Sequence, residues 1–283
     1  MCGIAGGIAL KASGSLDRTT IQQMGECIRH RGPDEVGWLT EGPIGLVHRR
    51  LSIIDVASGK QPMTSADGKV SLIFNGEIYN YLELRQELEG VGCQFQTQSD
   101  TEVVLQAYQK WGTTFQQRLN GMWALAIWDR EHQQLLLSRD RLGQKPLFVF
   151  QDRHQLLFSS EIRAFRIGRV SLEPNLDLLE LYLFLGYLPA PYTFWKGVIS
   201  LKPGEYWLIR RGRISQHRHW ELPTLVEGDM SQDQQGVQEA FQAHFEDSIR
   251  LRMRADVPYG MFLSGGLDSS AILAKMTNIS SQH

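Results

Sequence analysis

Four closely spaced strand patterns in the middle of the chain constrain its fold more than any other feature. Each pattern is a short run rich in apolar residues, and the connections at residues 129–132 and 152–154 are of hairpin length. Strands joined by such short connections pair antiparallel. The sequence therefore predicts an antiparallel meander formed by residues 122–128, 134–139, 147–150 and 155–159.

Three stretches before this meander carry apolar residues at helical spacing. They are residues 20–30, 79–88 and 103–111. Ser99 and Glu102, just before the third stretch, have the spacing of a capping box, and Gly112 is placed to end that helix.

Further strand patterns precede and separate these helices, and a last hairpin is predicted within residues 195–214. Early helices followed by antiparallel strands indicate an α+β sandwich in which sheets are stacked between helices. The predicted early strands are residues 2–9, 45–55 and 70–74, the last of which ends at Asn75-Gly76-Glu77.

Composition limits the class of protein, its partners and its cellular compartment. The chain has 283 residues, a formal net charge of −2 and 42 % hydrophobic residues, which is ordinary for a globular protein and gives no attraction to nucleic acid or anionic membranes. Three cysteines without metal-ligand spacing favour a reducing, cytoplasmic setting. The start lacks the features of a signal peptide, and the apolar stretch 178–188 is too short to span a bilayer.

The start of the chain, Met1-Cys2-Gly3-Ile4, offers a nucleophile. If Met1 is removed, Cys2 carries a thiol and a free α-amine on one Cα. The amine titrates near ~7.7–8.0 and the thiol near ~8.5, so near neutral pH one can deprotonate the other. The tetrapeptide by itself is also compatible with an ordinary thiol beside a start codon.

A glycine loop near the other end points to phosphate chemistry. Residues 257–263 are predicted to form a short buried strand that runs into this loop and then into a helix. Main-chain N–H groups at such a helix start can converge on an anion, and Asp268 is placed to meet a Mg²⁺ ion. The alternative is a flexible Gly-Ser turn. The residues that would bind a pyrophosphate are Ser264, Gly265, Gly266, Ser269 and Ser270.

The loop motif Ser-Gly-Gly-x-Asp-Ser resembles the PP-loop of the ATP pyrophosphatases, and together with Met-Cys-Gly-Ile the chain resembles the glutamine-hydrolysing asparagine synthetases. Further blocks of that family occur in the same order and cover nearly the whole chain. They are His-Arg-Gly-Pro-Asp at 30–34, Arg-Leu-Ser-Ile-Ile-Asp at 50–55, Asn-Gly-Glu-Ile-Tyr-Asn at 75–80, Ser-Asp-Thr-Glu at 99–102 and Arg-Asp-Arg-Leu-Gly at 139–143.

The resemblance implies roles for the glutamine site. Cys2 would be the nucleophile, with Asn75 and Gly76 as donors to the oxyanion. Arg50 would hold the α-carboxylate of glutamine, and Asp100 and Glu77 its α-ammonium. From the residues alone, Asn75-Gly76 also suits a plain turn, and Asp100 suits the first turn of a helix.

The resemblance also implies an ATP site formed by Leu263, Ser264, Gly265, Gly266, Asp268, Ser269 and Ser270, with Mg²⁺ reached through Asp268. Neighbouring positions are expected to be structural. Arg49 is predicted to face solvent because alternation sends it to the face opposite Arg50. Cys27 and Cys93 are interpreted as packing residues, and residues 139–146 are expected near a domain junction.

The implied organisation has three parts. Residues 1–220 form a class II glutamine amidotransferase domain with the four-layer αββα N-terminal nucleophile hydrolase fold, residues 221–236 a linker, and residues 237–283 the truncated start of an ATP pyrophosphatase domain. The expected activity is hydrolysis of glutamine to glutamate and ammonia, for ATP-dependent amidation of aspartate to asparagine.

We expect the chain as given to hydrolyse glutamine only, without contact to nucleic acid or membrane, and the resemblance allows a homodimer. Two alternatives stay open at this point. They are an amidotransferase with another carboxylate acceptor and a non-catalytic truncated remnant.

Overall fold

The computed structural model describes residues 1–11, 14–224 and 234–280. The chain divides into two compact units, Met1–Glu221 and Leu222–His283. The predicted linker at 221–236 falls mostly outside the described residues. No helix in the described parts of the chain is long and apolar enough to cross a membrane.

In the described part of the first unit, twelve strands form two six-stranded sheets, and every pairing between them is antiparallel. Sheet I has the order β10-β8-β9-β1-β3-β2 and sheet II the order β12-β11-β7-β6-β5-β4. The strands are β1 Gly3–Ala9, β2 Glu35–Glu41, β3 Ile44–Arg50, β4 Met63–Thr64, β5 Val70–Ile78, β6 Gly121–Asp129, β7 Gln134–Arg139, β8 Phe148–Gln151, β9 Gln155–Ser159, β10 Val198–Ser200, β11 Glu205–Arg210 and β12 Arg213–Arg218.

Helices cover the outer faces of both sheets. Those of the first unit are α1 Arg18–Cys27, α2 Tyr81–Gly90, α3 Asp100–Trp111, α4 Ala164–Ile167 and α5 Leu179–Leu185, with short 3₁₀ segments at Arg29–Arg31, Gly112–Arg118 and Leu176–Leu178. The second unit contains α6 Gln234–Arg252 and α7 Leu267–Ser280.

Three apolar layers hold the first unit together. The inner layer packs sheet I on sheet II through residues such as Ile4, Ile73 and Phe158. A second layer packs α2 and α3 on sheet II, and a third packs α1 and α4 on sheet I. Burial of these faces removes apolar surface from water and stabilises the stack. The predicted α+β sandwich with four layers, αββα, is confirmed.

The predicted meander is wrong in one respect, because its two hairpins belong to different sheets. β6 pairs with β7 in sheet II, whereas β8 pairs with β9 in sheet I. The stretch from Asp140 to Leu147 therefore crosses between the sheets. Both faces of each sheet are covered, so the apolar pattern alone does not distinguish one sheet from the other.

The helix caps follow the sequence in part. Ser99 caps α3, since its hydroxyl accepts a hydrogen bond from Thr101 N. Glu102 does not complete the capping box, because its carboxylate accepts from the main-chain N–H groups of Gln96 and Thr97 instead. Gly112 ends the helix with a positive φ of 56°, as predicted.

Residues 257–263 of the second unit are not the predicted buried strand. They have no regular secondary structure, and Tyr259, Phe262 and Leu263 are exposed. A strand needs a neighbour to satisfy its main-chain polar groups, and no described residue of this unit provides one.

Candidate active site

A cleft lies at the start of β1, between residues of both sheets of the first unit, and Cys2 opens onto it. The Cys2 thiol is held by the main chain of Leu51, whose N–H donates to Sγ at 3.4 Å and whose carbonyl accepts from it at 3.5 Å. Arg31 Nε donates to the Cys2 carbonyl at 3.0 Å. Burial raises the pKa of the Cys2 thiol, while the bond to Leu51 and the neighbouring terminal amine oppose this shift.

Met1 precedes Cys2 as an exposed residue on the rim of the same cleft. Its sulfur lies 3.5 Å from Lys145 Nζ. Partial burial lowers the pKa of the Met1 amine below its usual range. An amine at this position is therefore closer to its neutral, proton-accepting form near neutral pH than an exposed one would be.

Asn75 and Gly76 lie within β5, which continues through Ile78. The predicted end of this strand at Asn75, and the alternative of a plain turn there, are therefore wrong. The Asn75 side chain is only 1 % exposed, yet its Nδ2 has no hydrogen-bond partner among the described residues. Buried polar groups are nearly always paired, so an unpaired amide that lines a cleft fits a donor kept for a ligand.

The main-chain N–H of Gly76 lies on the edge of β5 that does not pair with β6. Phe74 N donates to the Gln61 side chain and Ile78 N to the Asp100 carboxylate, so both face away from β6. Because main-chain groups alternate along a strand, the N–H of Gly76 between them faces that edge too. A Cβ atom at Gly76 would lie 2.1 Å from the Met122 carbonyl oxygen, so only glycine fits. Two N–H donors can thus serve one oxygen atom.

Arg50, the last residue of β3, is 4 % exposed and lines the cleft. Its guanidinium donates to the Glu35 carboxylate and to the main-chain carbonyls of the loop that follows β3, at 2.6 to 3.3 Å. These bonds employ both terminal nitrogens. Arg50 therefore orders the cleft wall as well as supplying positive charge to the cleft.

Arg49 corrects the sequence prediction, since it is buried and not facing solvent. Alternation does send it to the face opposite Arg50, but α1 covers that face. Its Nε donates to the Gly25 carbonyl at 3.0 Å, and its guanidinium pairs with Glu26. The prediction failed because it ignored the helix packed on the outside of sheet I.

Two carboxylates complete the cleft. Asp100 begins α3, is 5 % exposed and accepts a hydrogen bond from Ile78 N at 3.0 Å. Burial, reinforced by the nearby Glu77, raises the pKa of Asp100 to about 7. Burial also raises the pKa of Glu77, which the positive charge of Lys145 opposes. Such a pair gains most from a cation placed between the two groups.

Lys145 lines the cleft, and Arg31 binds the Cys2 carbonyl, but the sequence patterns assigned neither of them a chemical role. Lys145 is buried on the cleft wall. The expectation that residues 139–146 lie near a domain junction stays a prediction. Burial lowers its pKa, opposed by Glu77 and Cys2. Arg31 has a buried Nη2 without a hydrogen-bond partner among the described residues. In the sequence, each of these residues is only a basic residue within an apolar strand-loop pattern. That pattern does not indicate whether the side chain lies at a cleft.

The Ser264–Ser270 loop of the second unit differs from the cleft, because its hydrogen bonds are local and most of its side chains are exposed. Ser264 Oγ lies 3.0 Å from Ser269 Oγ and accepts from Gly266 N at 3.3 Å, and Gly265 has a φ of +80°. Asp268 lies in the first turn of α7. Leu263, Ser264, Asp268 and Ser270 are exposed, and Ser269 is half-buried. Hydroxyls, the start of a helix and a carboxylate suit a phosphate with Mg²⁺, although the described residues contain no ready-made metal-ligand cluster.

The solved structures that match share the fold. The glutamine phosphoribosylpyrophosphate amidotransferase from B. subtilis, solved with ADP and GMP, matches with a TM-score of 0.57 and 20 % identity over 77 % of this chain and 49 % of that one. With two stacked antiparallel sheets between layers of helices, the first unit has the fold of the N-terminal nucleophile amidotransferases.

The family model for the glutamine amidotransferase domain matches residues 1–220, and that for asparagine synthase matches residues 240–283. The chain belongs to the glutamine amidotransferase family. It is 39 % identical to asparagine synthetase [glutamine-hydrolyzing] 1 of Bacillus subtilis over 90 % of this chain and 40 % of the relative. Putative asparagine synthetase [glutamine-hydrolyzing] 2 of Methanocaldococcus jannaschii is 34 % identical over the whole chain and 59 % of the relative. The chain thus spans about half the length of these relatives.

Proposed function

We propose that residues 1–220 hydrolyse glutamine to glutamate and ammonia, with Cys2 as the nucleophile. The observation that carries this proposal is the buried Asn75 Nδ2, which has no partner in the described part of the chain and lies on the wall of the cleft that Cys2 opens onto. A reaction through a tetrahedral intermediate needs donors of this kind, already fixed where an oxyanion develops.

The reaction begins once Met1 has been removed. The α-amine of Cys2 takes the thiol proton, and the thiolate attacks the carboxamide carbon of glutamine. Asn75 Nδ2 and Gly76 N–H donate to the oxyanion. Ammonia leaves with the proton returned by the amine, and water then hydrolyses the thioester to glutamate and the free thiol. Dividing one difficult hydrolysis into two steps is the advantage of a covalent intermediate.

Three side chains are proposed to hold the substrate. Arg50 supplies positive charge for the α-carboxylate of glutamine. Its guanidinium now donates to main-chain carbonyls, and when the substrate binds, the carboxylate would accept hydrogen bonds in their place. Asp100 and Glu77 receive the α-ammonium. Their raised pKa values support this assignment, because a cation between the two carboxylates would relieve their burial and mutual repulsion.

For the whole protein we propose ATP-dependent amidation of aspartate to asparagine in the cytoplasm. The names of the relatives and the asparagine synthase match support it. Leu263, Ser264, Gly265, Gly266, Asp268, Ser269 and Ser270 would hold ATP with Mg²⁺, and ATP supplies activation of the acceptor carboxylate. Asparagine formation by the protein with aspartate, ATP, Mg²⁺ and ammonia would test this half, and a preference for another carboxylic acid would redirect it.

The glutaminase half is tested with Cys2→Ala. We expect glutamate formation to fall by at least about 10³-fold, because the nucleophile is lost. Cys93→Ala is a matched control, since Cys93 is also a half-buried free thiol but packs in the layer between sheet II and its helices. Equal activity of Cys2→Ala and the parent would contradict the proposal. Intact-mass measurement of the active protein should show that Met1 is absent.

A further inference from the structure

The groups assigned to the glutamine site are divided between two sheets. Cys2 and Arg50 belong to sheet I, at the start of β1 and the end of β3, which are paired neighbours. Asn75, Gly76 and Glu77 belong to β5 of sheet II. Apolar packing between sheets is non-directional, so it does not by itself fix an oxyanion donor to within a fraction of an ångström of its working position.

The edge of β5 opposite β6 is where this positioning has to be achieved. β4 contains only two residues and pairs with Leu72 and Ser71 of β5. Beyond Leu72, the main chain of Phe74 has no strand neighbour on that side. Its N–H donates to Gln61 Oε1 at 2.6 Å, and its carbonyl lies 3.1 Å from His48 Nε2. Two side chains thus replace the missing strand directly before Asn75.

His48 reaches this carbonyl from the other sheet. It lies in β3, two residues before Arg50, opposite Ile4 of β1, and is 1 % exposed. A carbonyl oxygen only accepts, so Nε2 must carry the proton and donate. Burial lowers the pKa of His48 to about 3, which keeps the ring neutral in this one tautomer. The contact is therefore a fixed polar connection from sheet I to sheet II.

Gln61 adds a second connection. Because its Oε1 accepts from Phe74 N, its amide orientation is fixed, and Nε2 donates to Thr101 Oγ1 at 3.2 Å. Thr101 follows Asp100 at the start of α3. The same side chain therefore joins β5 to the helix turn that carries the proposed ammonium ligand.

We propose that His48, assisted by Gln61, is a positioning residue for the oxyanion site. It holds the main chain of Phe74 so that the Asn75 amide and the Gly76 N–H face Cys2 Sγ. His48 does not touch the substrate in this role and transfers no proton. The proposal rests on the glutaminase function proposed above. According to it, the hydrogen bond from His48 in sheet I to Phe74 in sheet II aligns the oxyanion donors with the nucleophile.

The test compares His48→Leu, which removes the donor, with His48→Gln, which can present an amide N–H to the same carbonyl. Since loss of an oxyanion donor costs about 10²–10³ in kcat, we expect His48→Leu to lower kcat about 10- to 100-fold with KM for glutamine changed less than about threefold. His48→Gln should recover most of that loss. His219→Leu is the matched control, because His219 is also buried and bound to a main-chain carbonyl, that of Arg139.

A double-mutant cycle with Asn75→Ala separates positioning from general destabilisation. If His48 acts through Asn75 and Gly76, adding His48→Leu to Asn75→Ala should lower kcat by clearly less than it lowers kcat of the parent, because only the Gly76 donor is then left to displace. Full kcat in His48→Leu, or a fully additive loss in the cycle, would overturn the inference. Should His48→Leu not fold, Gln61→Leu enters the same cycle with the same expectations.

The glutaminase function and this inference fail in different ways. An inactive parent protein, or a parent whose activity survives Cys2→Ala, removes the function and with it the inference. A parent that depends on Cys2, but whose kcat is indifferent to His48→Leu and Gln61→Leu, keeps the function and removes only the inference.

Discussion

The cleft at Cys2 and the Ser264–Ser270 loop are both recognised from short sequence motifs, yet they are built differently. In the cleft, Asn75, Arg50 and Asp100 are buried, Arg50 binds Glu35 of β2 as well as the loop after β3, and Asp100 of α3 accepts from Ile78 of β5. In the loop, the hydrogen bonds stay within a few residues and most side chains are exposed. A motif reports the chemistry available, whereas the surrounding elements decide whether that chemistry is already assembled.

This difference predicts how each region responds to substitution. Cleft residues are held by partners that would be left unsatisfied or displaced, so changes there should alter both catalysis and stability. Loop residues have few partners to lose. Substitutions should therefore have their largest effect in the cleft and their smallest in the loop.

Asn75→Ala should have the largest effect among the residues other than the nucleophile. It removes a fixed oxyanion donor, so kcat for glutamine hydrolysis should fall about 10²–10³-fold with a small change in KM. Asn75→Asp keeps the size but replaces the donating amide with an acceptor, and it should be at least as inactive. Steady-state kinetics decide, and an unchanged kcat in either variant would remove Asn75 from the proposed mechanism.

Asp100 should impose a pH dependence on glutamine binding. Its pKa of about 7 in the free cleft means that the ionised form needed for an ammonium is lost below that pH, so kcat/KM should fall up to about tenfold per unit below pH 7. Asp67→Asn, at an exposed carboxylate, is the matched control and should keep this profile. A pH profile of kcat/KM that shows no inflection between about pH 6 and 8 would argue against Asp100 as the ammonium ligand.

The same group should act on stability with a definite sign. Because the folded pKa of Asp100 is raised above its ordinary value of 3.8, the folded state binds the proton more tightly, and stability decreases as the pH rises from that value to about 7, above which the loss is complete. Asp100→Asn should therefore raise the melting temperature at alkaline pH while weakening glutamine binding. Thermal unfolding at two pH values checks this, and an equal shift at both would contradict the stated cause.

The smallest effect is expected at the loop. Asp268→Ala should leave glutamine hydrolysis within about twofold of the parent, because Asp268 is exposed and belongs to the other unit. It should instead reduce ATP-dependent activity of the whole protein. A large loss of glutaminase activity in Asp268→Ala would break the contrast between the two regions.

Sequence patterns predict the fold class, because helical and strand periodicities report which faces are buried. They did not assign β8 and β9 to the sheet opposite β6 and β7, since both sheets bury both faces. The burial of Arg49 also escaped prediction, because it depends on where α1 packs. Cys2, Arg50, Asn75, Gly76, Glu77 and Asp100 were found through motifs, and all of them line one cleft.

His48, Gln61 and Lys145 could not be given a place in the site from the sequence. A histidine in an apolar strand is usually a packing residue, and its bond to Phe74 joins residues 26 positions apart. Lys145 reaches the cleft only because the chain crosses between sheets just before β8. These contacts depend on tertiary structure that a local pattern does not encode.

The early end of β4 has a consequence for association with other chains. An unpaired strand edge is a template on which a second chain can add a strand. On β5 that template is interrupted, because His48 and Gln61 occupy the polar groups of Phe74 and Asp100 occupies the N–H of Ile78. The open stretch centred on Gly76 is too short to pair with a strand. The edge of β5 therefore resists the addition of a strand from a second chain.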